Sequence, residues 1–284
     1  MSFWRRREVQ GTVLALPYIL IFTLFVLYPL IRTVISAFTG GANPLANYMQ
    51  AFSMPSFRLA MLHTLGYTVI ASLLVVLLAF PISFLVYRVL NRHKRLRYLI
   101  AMPYASSAMA LSMIWLMFFN QQNGLVNKLL PLFGLNAQNW LGSPGPAFLC
   151  VLSLVFWRSF CFTMFNCLQA METQPKEIYE SAAIAGANSR QTFVHITLPQ
   201  LVPTMFYVIP TTIISVLTTF EPIMLLYYAG MDVNQTGSLV YLYYQQATIG
   251  SKGVASAIAV LLLVPIMICC YAYSRYIFGR KAAK

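Results

Sequence analysis

The chain has 284 residues, of which 59% are hydrophobic and only 9% charged, with a mean hydropathy of +0.70. A soluble domain is nearer a quarter charged, and 19 basic and 6 acidic residues cannot coat a 32.0 kDa globule, which excludes most soluble enzymes, nucleic-acid-binding proteins and disordered chains. The net charge of +13 is read as basic loops flanking membrane helices rather than as a nucleic-acid footprint.

A spanning helix needs about 20 mostly apolar residues, and six segments meet that length. MSFWRRRE leads into the first, Thr12 to Phe38. This run is longer than the roughly 7–15 apolar residues of a signal peptide and no A-x-A-like site closes it, so it is read as a retained span. The second runs from Met61 to Tyr87, the third from Tyr98 to Phe119 and the fourth from Pro146 to Ala170. The fifth runs from Thr204 to Tyr228 and the sixth from Val254 to Phe278. Residues 1–284 are thus expected to form one all-α, six-helix membrane domain. Pro17, Pro29, Pro81, Pro103, Pro210, Pro222 and Pro265 fall inside spans, where each removes a backbone donor and bends its helix. Cys150, Cys161, Cys167, Cys269 and Cys270 all lie in apolar stretches without CxxC or Cys/His spacing, and are read as small hydrophobes rather than disulfides or metal ligands. No metal site is expected, because His63, His93 and His195 are scattered.

Basic residues set the orientation. Arg5, Arg6, Arg7, Arg88, Arg92, Lys94, Arg95, Arg97, Lys176, Arg190, Arg275, Arg280, Lys281 and Lys284 fall on one side. Only Arg32, Arg58, Lys128 and Lys252 fall on the other. Both termini are therefore expected on the cytoplasmic side of the cell membrane.

The cytoplasmic loop of residues 171–203 differs from the rest, with three of the six acids, Glu172, Glu177 and Glu180. Thr173 and Pro175 suit a helix start and Glu177 its first turn. Ile178, Ala182 and Ala185 share one face, and Gly186 suits the stop. Asn188 or Ser189 then caps a second short helix that Pro199 is expected to end. Ser181, Ala182, Ala183 and Ala185 make a small-residue surface beside the Glu180 carboxylate, which fits docking to a protein better than lying on a membrane.

EIYESAAIAGANSRQTFVHITLP resembles the EAA motif of ABC importer permeases, E-A-A-x-x-x-G followed by I-x-L-P. Glu180, Ala182 and Gly186 match the first half, and Ile196, Leu198 and Pro199 the second. Ser181 stands where alanine is usual and Ala185 where the sugar-type branch often has aspartate. NYMQAF with SFRLAMLHTLGYTV, the stretch around Trp115 and Gly124-Leu125-Val126-Asn127, WLGSPGPAFLCVLSLVFWRSF and GSKGVASAIAVLLL also resemble that branch. His63 replaces its usual asparagine, and YYAGMDVNQTGS replaces its Gly-Gly-Pro stretch. The resemblance, to carbohydrate-type permeases of maltose and glycerol-phosphate uptake, implies the type I importer permease fold. It implies a second related permease, two ATPase subunits that carry the ATP and magnesium, and an extracytoplasmic substrate-binding protein as partners. Glu180, Ser181, Ala182, Ala183, Gly186, Ile196, Leu198 and Pro199 would then form the loop that couples to an ATPase. The chain has no G-x-x-x-x-G-K-[ST] nucleotide loop and is expected to be non-catalytic, without a cofactor of its own.

Charge inside a span marks a functional-site candidate. Arg158 lies mid-span in the fourth segment and Glu221 in the outer half of the fifth; each either meets substrate or is satisfied structurally, by backbone, water or the other. Asn166, Thr211, Thr212, Ser215 and Thr219 are candidate path-lining positions, equally explained by close helix packing. Tyr227, Tyr228, Tyr241, Tyr243 and Tyr244 are read as interfacial anchors. A permease for a non-sugar solute is the alternative within the family. A stand-alone secondary transporter fits less well, since Glu221 is the one acid within a span and no inverted repeat is evident. No catalytic pair supports an intramembrane enzyme.

Overall fold

The computed structural model describes residues 7–40, 43–89, 94–232 and 236–282. Arg5, Arg6, Arg92 and Lys284, counted in the basic asymmetry, lie outside them. All regular elements among the described residues are helical. They fall into two compact units, one of Met1–Met54 with Tyr243–Leu263, the other of Pro55–Leu242 with Val264–Lys284.

In the first unit α1 (Arg7–Phe22) passes through a π-helical turn (Thr23–Leu27) into α2 (Tyr28–Phe38), followed by α3 (Ala46–Ser53). The most apolar stretch of Val13–Phe38 is wholly unburied, which suits lipid or a partner chain rather than water. Asn47 caps the end of α2: its Nδ2 donates to the carbonyls of Ala37 at 3.1 Å and Thr39 at 2.9 Å.

The second unit begins with α4 (Pro55–Val89), which starts six residues before the expected second span because Pro55 is tolerated in a first helical turn. The expected third span is two helices, α5 (Lys94–Ala105) and α6 (Ala108–Phe118). Pro103 supplies no donor, Ser107 turns extended at ψ 137°, and the Ser106 hydroxyl donates back to the Met102 carbonyl at 2.8 Å. A short α7 (Leu125–Leu129) and a 3-10 turn (Leu130–Phe133) lead to α8 (Pro144–Glu172). Then come α9 (Lys176–Ile184), α10 (Ser189–Thr192), a second π turn (Phe193–Thr197), α11 (Leu198–Leu217) and α12 (Glu221–Tyr228). Leu239–Ile249 forms α13 and Lys252–Ala282 forms α14. Five stretches are long and apolar enough to cross a membrane: Val13–Phe38, Pro55–Val89, Pro144–Glu172, Ser189–Tyr228 and Lys252–Arg275.

The helix of the expected fifth span thus begins near Ser189, and Pro199 does not end it. The π turn Phe193–Thr197 directly precedes Pro199, so the change of hydrogen-bond register falls where the proline lacks its N–H and the chain stays helical across it. Pro29 stands in the same relation to Thr23–Leu27.

Within the second unit α8 packs on α4, α5 and α11, and α12 packs on α6. Tyr67, Trp115, Val151, Leu154, Ile223, Leu226 and Tyr241 share one core. Tyr241 is 5% exposed, so it is a core residue rather than an interfacial anchor; its ring lies 5.5 Å from Tyr227. A second core, of Phe80, Phe84, Cys167, Met171 and Leu201, receives Tyr179 and Phe193 at its edge. Cys150, Cys161 and Cys167 are buried as expected, whereas Cys269 is partly buried and Cys270 is exposed.

Candidate functional sites

The cytoplasmic loop is built around a helix stop. Gly186 has φ +77°, the left-handed region that favours glycine. Its N–H donates to the Ala183 carbonyl at 3.1 Å, and the Ala187 N–H donates to Ala182 at 3.0 Å. This pair of bonds is the Schellman arrangement, which turns the chain sharply out of α9. Asn188 then opens α10 with a reciprocal capping box: its Oδ1 accepts from the Gln191 N–H and the Gln191 Oε1 accepts from the Asn188 N–H, both at 2.9 Å. Pro175 rather than Thr173 precedes the first turn of α9. Thr173 instead closes α8, its hydroxyl donating to the Ala170 carbonyl at 2.8 Å.

α9 is held from one side. Tyr179 packs against Tyr87, with ring centroids 5.9 Å apart, and its hydroxyl accepts from Thr197 Oγ1 at 3.4 Å. Arg88, stacked over Phe84, donates to the Ser189 hydroxyl and braces α10 to the end of α4. A cavity of about 250 Å³ lies between, with Arg88, Lys176 and Glu180 on its wall. The inward face of α9 is therefore Tyr179 with Ala182, which is 8% exposed. Ala182 is buried within the chain, and Ala185 is exposed and does not share its face. Glu180, Ser181, Ala183, Ala185 and Gly186 remain exposed. Ile184 joins them at 89% exposure, a residue the sequence reading passed over because apolar spacing pointed to Ile178. Ile196 and Leu198 are half-buried and Pro199 is exposed where the π turn meets α11.

The second site lies within the helices. Arg158 is at the midpoint of the 29-residue α8. It lines a cavity of about 210 Å³ together with Tyr104, Ser159, Tyr207, Thr211 and Ser215. Phe162 completes one wall, 4.6 Å from the Tyr104 ring. Thr212 joins from α11, its hydroxyl 3.4 Å from that of Thr163. Arg158 Nε is buried without a hydrogen-bond partner. A cation at the bilayer centre costs about 2.5–3.5 kcal/mol on insertion scales, so the guanidinium as a whole calls for polar partners.

Of the expected path residues, the structure gathers Arg158, Thr211, Thr212 and Ser215, and leaves out three. Asn166 donates to the Phe162 carbonyl of its own helix at 2.8 Å. Thr219 lies beyond the end of α11, donating back to Ser215 at 3.0 Å. Glu221 is not mid-helix: α11 stops at Leu217, and Glu221 is an exposed first-turn residue of α12 with Pro222 beside it. It does not line the Arg158 cavity. The sequence reading missed Tyr104, Ser159, Phe162 and Tyr207; Phe162 and Tyr207 stand at helical spacing from Arg158 and Thr211, but only the packing of the helices brings the four to one cavity.

Two irregular segments are pinned by side chains. Tyr67 Oη donates to the Thr236 carbonyl at 2.9 Å, the Leu239 N–H donates to Thr64 Oγ1 at 2.9 Å, and the His63 ring meets the Gly237 backbone. One face of α4 thus holds residues 236–239, at the end of the stretch that replaces Gly-Gly-Pro. Asn127 fixes the loop before α8, donating to Gln121 and Gln138 and accepting from Gln138 and from Trp140 Nε1. A Cβ on Gly124 would meet the Asn120 carbonyl oxygen at 2.3 Å, so that turn admits only glycine.

Comparison with known proteins agrees with this architecture. A family described as "Binding-protein-dependent transport system inner membrane component" matches residues 79–282. The chain is similar to the arabinooligosaccharides transport system permease protein AraP of Bacillus subtilis, 30% identical over 94% of this chain and 89% of the relative. It is similar to the trehalose/maltose transport system permease protein MalF of Thermococcus litoralis, 26% identical over 92% and 91%. The sn-glycerol-3-phosphate transport system permease protein UgpA of Pectobacterium atrosepticum is 26% identical, over 89% of each. A chain of a bacterial ABC transporter involved in the import of the acidic polysaccharide alginate superposes with a TM-score of 0.77 at 22% identity, covering 95% of this chain and 96% of that one.

Proposed function

This chain belongs to the family of binding-protein-dependent transport system inner membrane components, and on that premise we propose that it is the transmembrane permease subunit of an ABC importer for a sugar, an oligosaccharide or a related polyol phosphate. The observation that carries this reading is similarity along nearly the whole chain to permeases of oligosaccharide and polyol-phosphate uptake. The chain is a multi-pass protein of the cell inner membrane. In this reading residues 1–284 act as a single permease domain with both termini cytoplasmic, as the basic loops favour. It forms half of the path with a second, related permease. An extracytoplasmic binding protein delivers the substrate, and two separate ATPase subunits bind ATP and magnesium; this chain is non-catalytic and holds no cofactor.

The loop around α9 is the coupling element. Glu180, Ser181, Ala183, Ile184 and Gly186 face the ATPase. Ala182, Ile196, Leu198 and Pro199 hold the helix at its angle. ATP-driven closure of the ATPases moves α9, and the braces from Tyr179 to Tyr87 and from Arg88 to Ser189 carry that motion into α4 and α11. The cavity at Arg158 is the segment of the path that this chain lines.

Co-purification with the ATPase subunits tests the coupling assignment. Glu180→Trp and Ile184→Asp alter exposed side chains, so both variants are expected in the membrane at normal amounts with the ATPase yield reduced several-fold. Full ATPase recovery with normal uptake in both contradicts the assignment.

A further inference from the structure

We infer that the cavity around Arg158 takes a sugar bearing an anionic group, a carboxylate, sulfate or phosphate, and that Arg158 is the counter-charge that selects it. This deepens the carbohydrate reading above and rests on it.

Among the described residues, the lining of the cavity carries one formal charge, that of Arg158, and no opposite charge to match it. Arg158 sits half-way along a membrane-spanning helix, its Nε buried and unpartnered. Among the described residues, no acid lines the cavity. Glu221, the one acid expected within a span, lies in the exposed first turn of α12, near the end of the stretch Ser189–Tyr228. A guanidinium offers five donors in a planar fork and stays charged at every accessible pH, so it cannot relieve its burial by losing a proton, as a lysine can.

The rest of the lining is neutral and suits a sugar. Ser159, Thr211 and Ser215 supply hydroxyls, and Tyr104 and Tyr207 supply rings with a polar tip. The Thr211 proton is already committed to the Tyr207 and Val208 carbonyls, each at 2.9 Å, which leaves its oxygen free to accept from a sugar hydroxyl. A neutral sugar would satisfy these groups and leave the guanidinium uncompensated. An anionic one answers both, since an oxyanion accepts two parallel bonds from the fork.

The test uses the assembled complex of both permeases and the ATPases in detergent, with the binding protein left out so that it does not compete for the probes. Binding to the permease–ATPase complex is measured by calorimetry for galactose, galacturonate, galactose 6-sulfate and galactose 6-phosphate. Wild type is expected to bind at least one anionic probe at least tenfold more tightly than galactose. Arg158→Gln is expected to abolish that ratio by weakening the anionic probe while leaving galactose within about twofold, and Arg158→Lys to keep part of it. A permease damaged in its fold would lose all probes together, whereas the proposal requires loss of the ratio alone. Wild type binding galactose as tightly as every anionic probe, or Arg158→Gln keeping the ratio, overturns the inference and leaves the carbohydrate reading standing. Binding of no sugar by a complex that still imports another solute overturns both.

Discussion

The Tyr67 hydroxyl joins residues 169 positions apart, and its ring stacks on Phe148 at 4.5 Å. Tyr67→Phe keeps the stack and leaves the Thr236 carbonyl without that donor in a buried setting. It is expected to cost about 1–3 kcal/mol, read as a lowered midpoint of thermal unfolding in detergent; an unchanged midpoint would mean that water or another group satisfies the carbonyl. At this scale the sequence was legible where chemistry was unusual. A lone arginine in an apolar helix stands out, and Arg158 does line a cavity. Ordinary residues gain meaning only from packing. Ser159 and Tyr207 carry no mark until α5, α8 and α11 are brought together. Glu221 misled because Thr218 and Thr219 look like helix, whereas their hydroxyls donate back to Ile214 and Ser215 and close the helix end. The signal was Pro222, which favours the first turn of a new helix over the middle of an old one.

Helix ends explain most differences between expected and observed elements. Proline was read as a terminator at Pro199, but the change of hydrogen-bond register in the preceding π turn falls where its donor is missing, and the chain stays helical. The same device at Pro29 makes it a recurrent solution in this chain, and hydropathy carries no trace of hydrogen-bond register. Gly186 was legible as a stop because left-handed backbone leaves few alternatives to glycine. A Cβ there meets nothing within 4 Å, so the cost of substitution is conformational. Gly186→Ala is expected to cost about 1–2 kcal/mol locally, and Gly186→Asn less, since asparagine tolerates that backbone. In the proposed role of α9, substrate-stimulated ATP hydrolysis should fall in the order Gly, Asn, Ala, Val while basal hydrolysis by the ATPases stays constant. Equal stimulation across the series would show that the turn does not set the coupling geometry.

Across the whole molecule, scarcity of charge is the organising fact. Three of the six acids lie within nine positions, from Glu172 to Glu180, where the chain leaves its apolar environment for the loop that carries α9. The apolar excess stays on the surface, with Val13–Phe38 burying none of its most apolar stretch, as expected of a surface made for lipid or a partner chain. The central claim is that this chain moves solute only as one part of an ATP-driven assembly. The direct measurement is uptake of labelled sugar into proteoliposomes that contain this chain, with and without its partner permease, ATPases, binding protein and ATP. Uptake is expected only with all of them present, and is expected to stop when ATP is replaced by a non-hydrolysable analogue. Sugar-driven uptake by this chain alone would contradict the account.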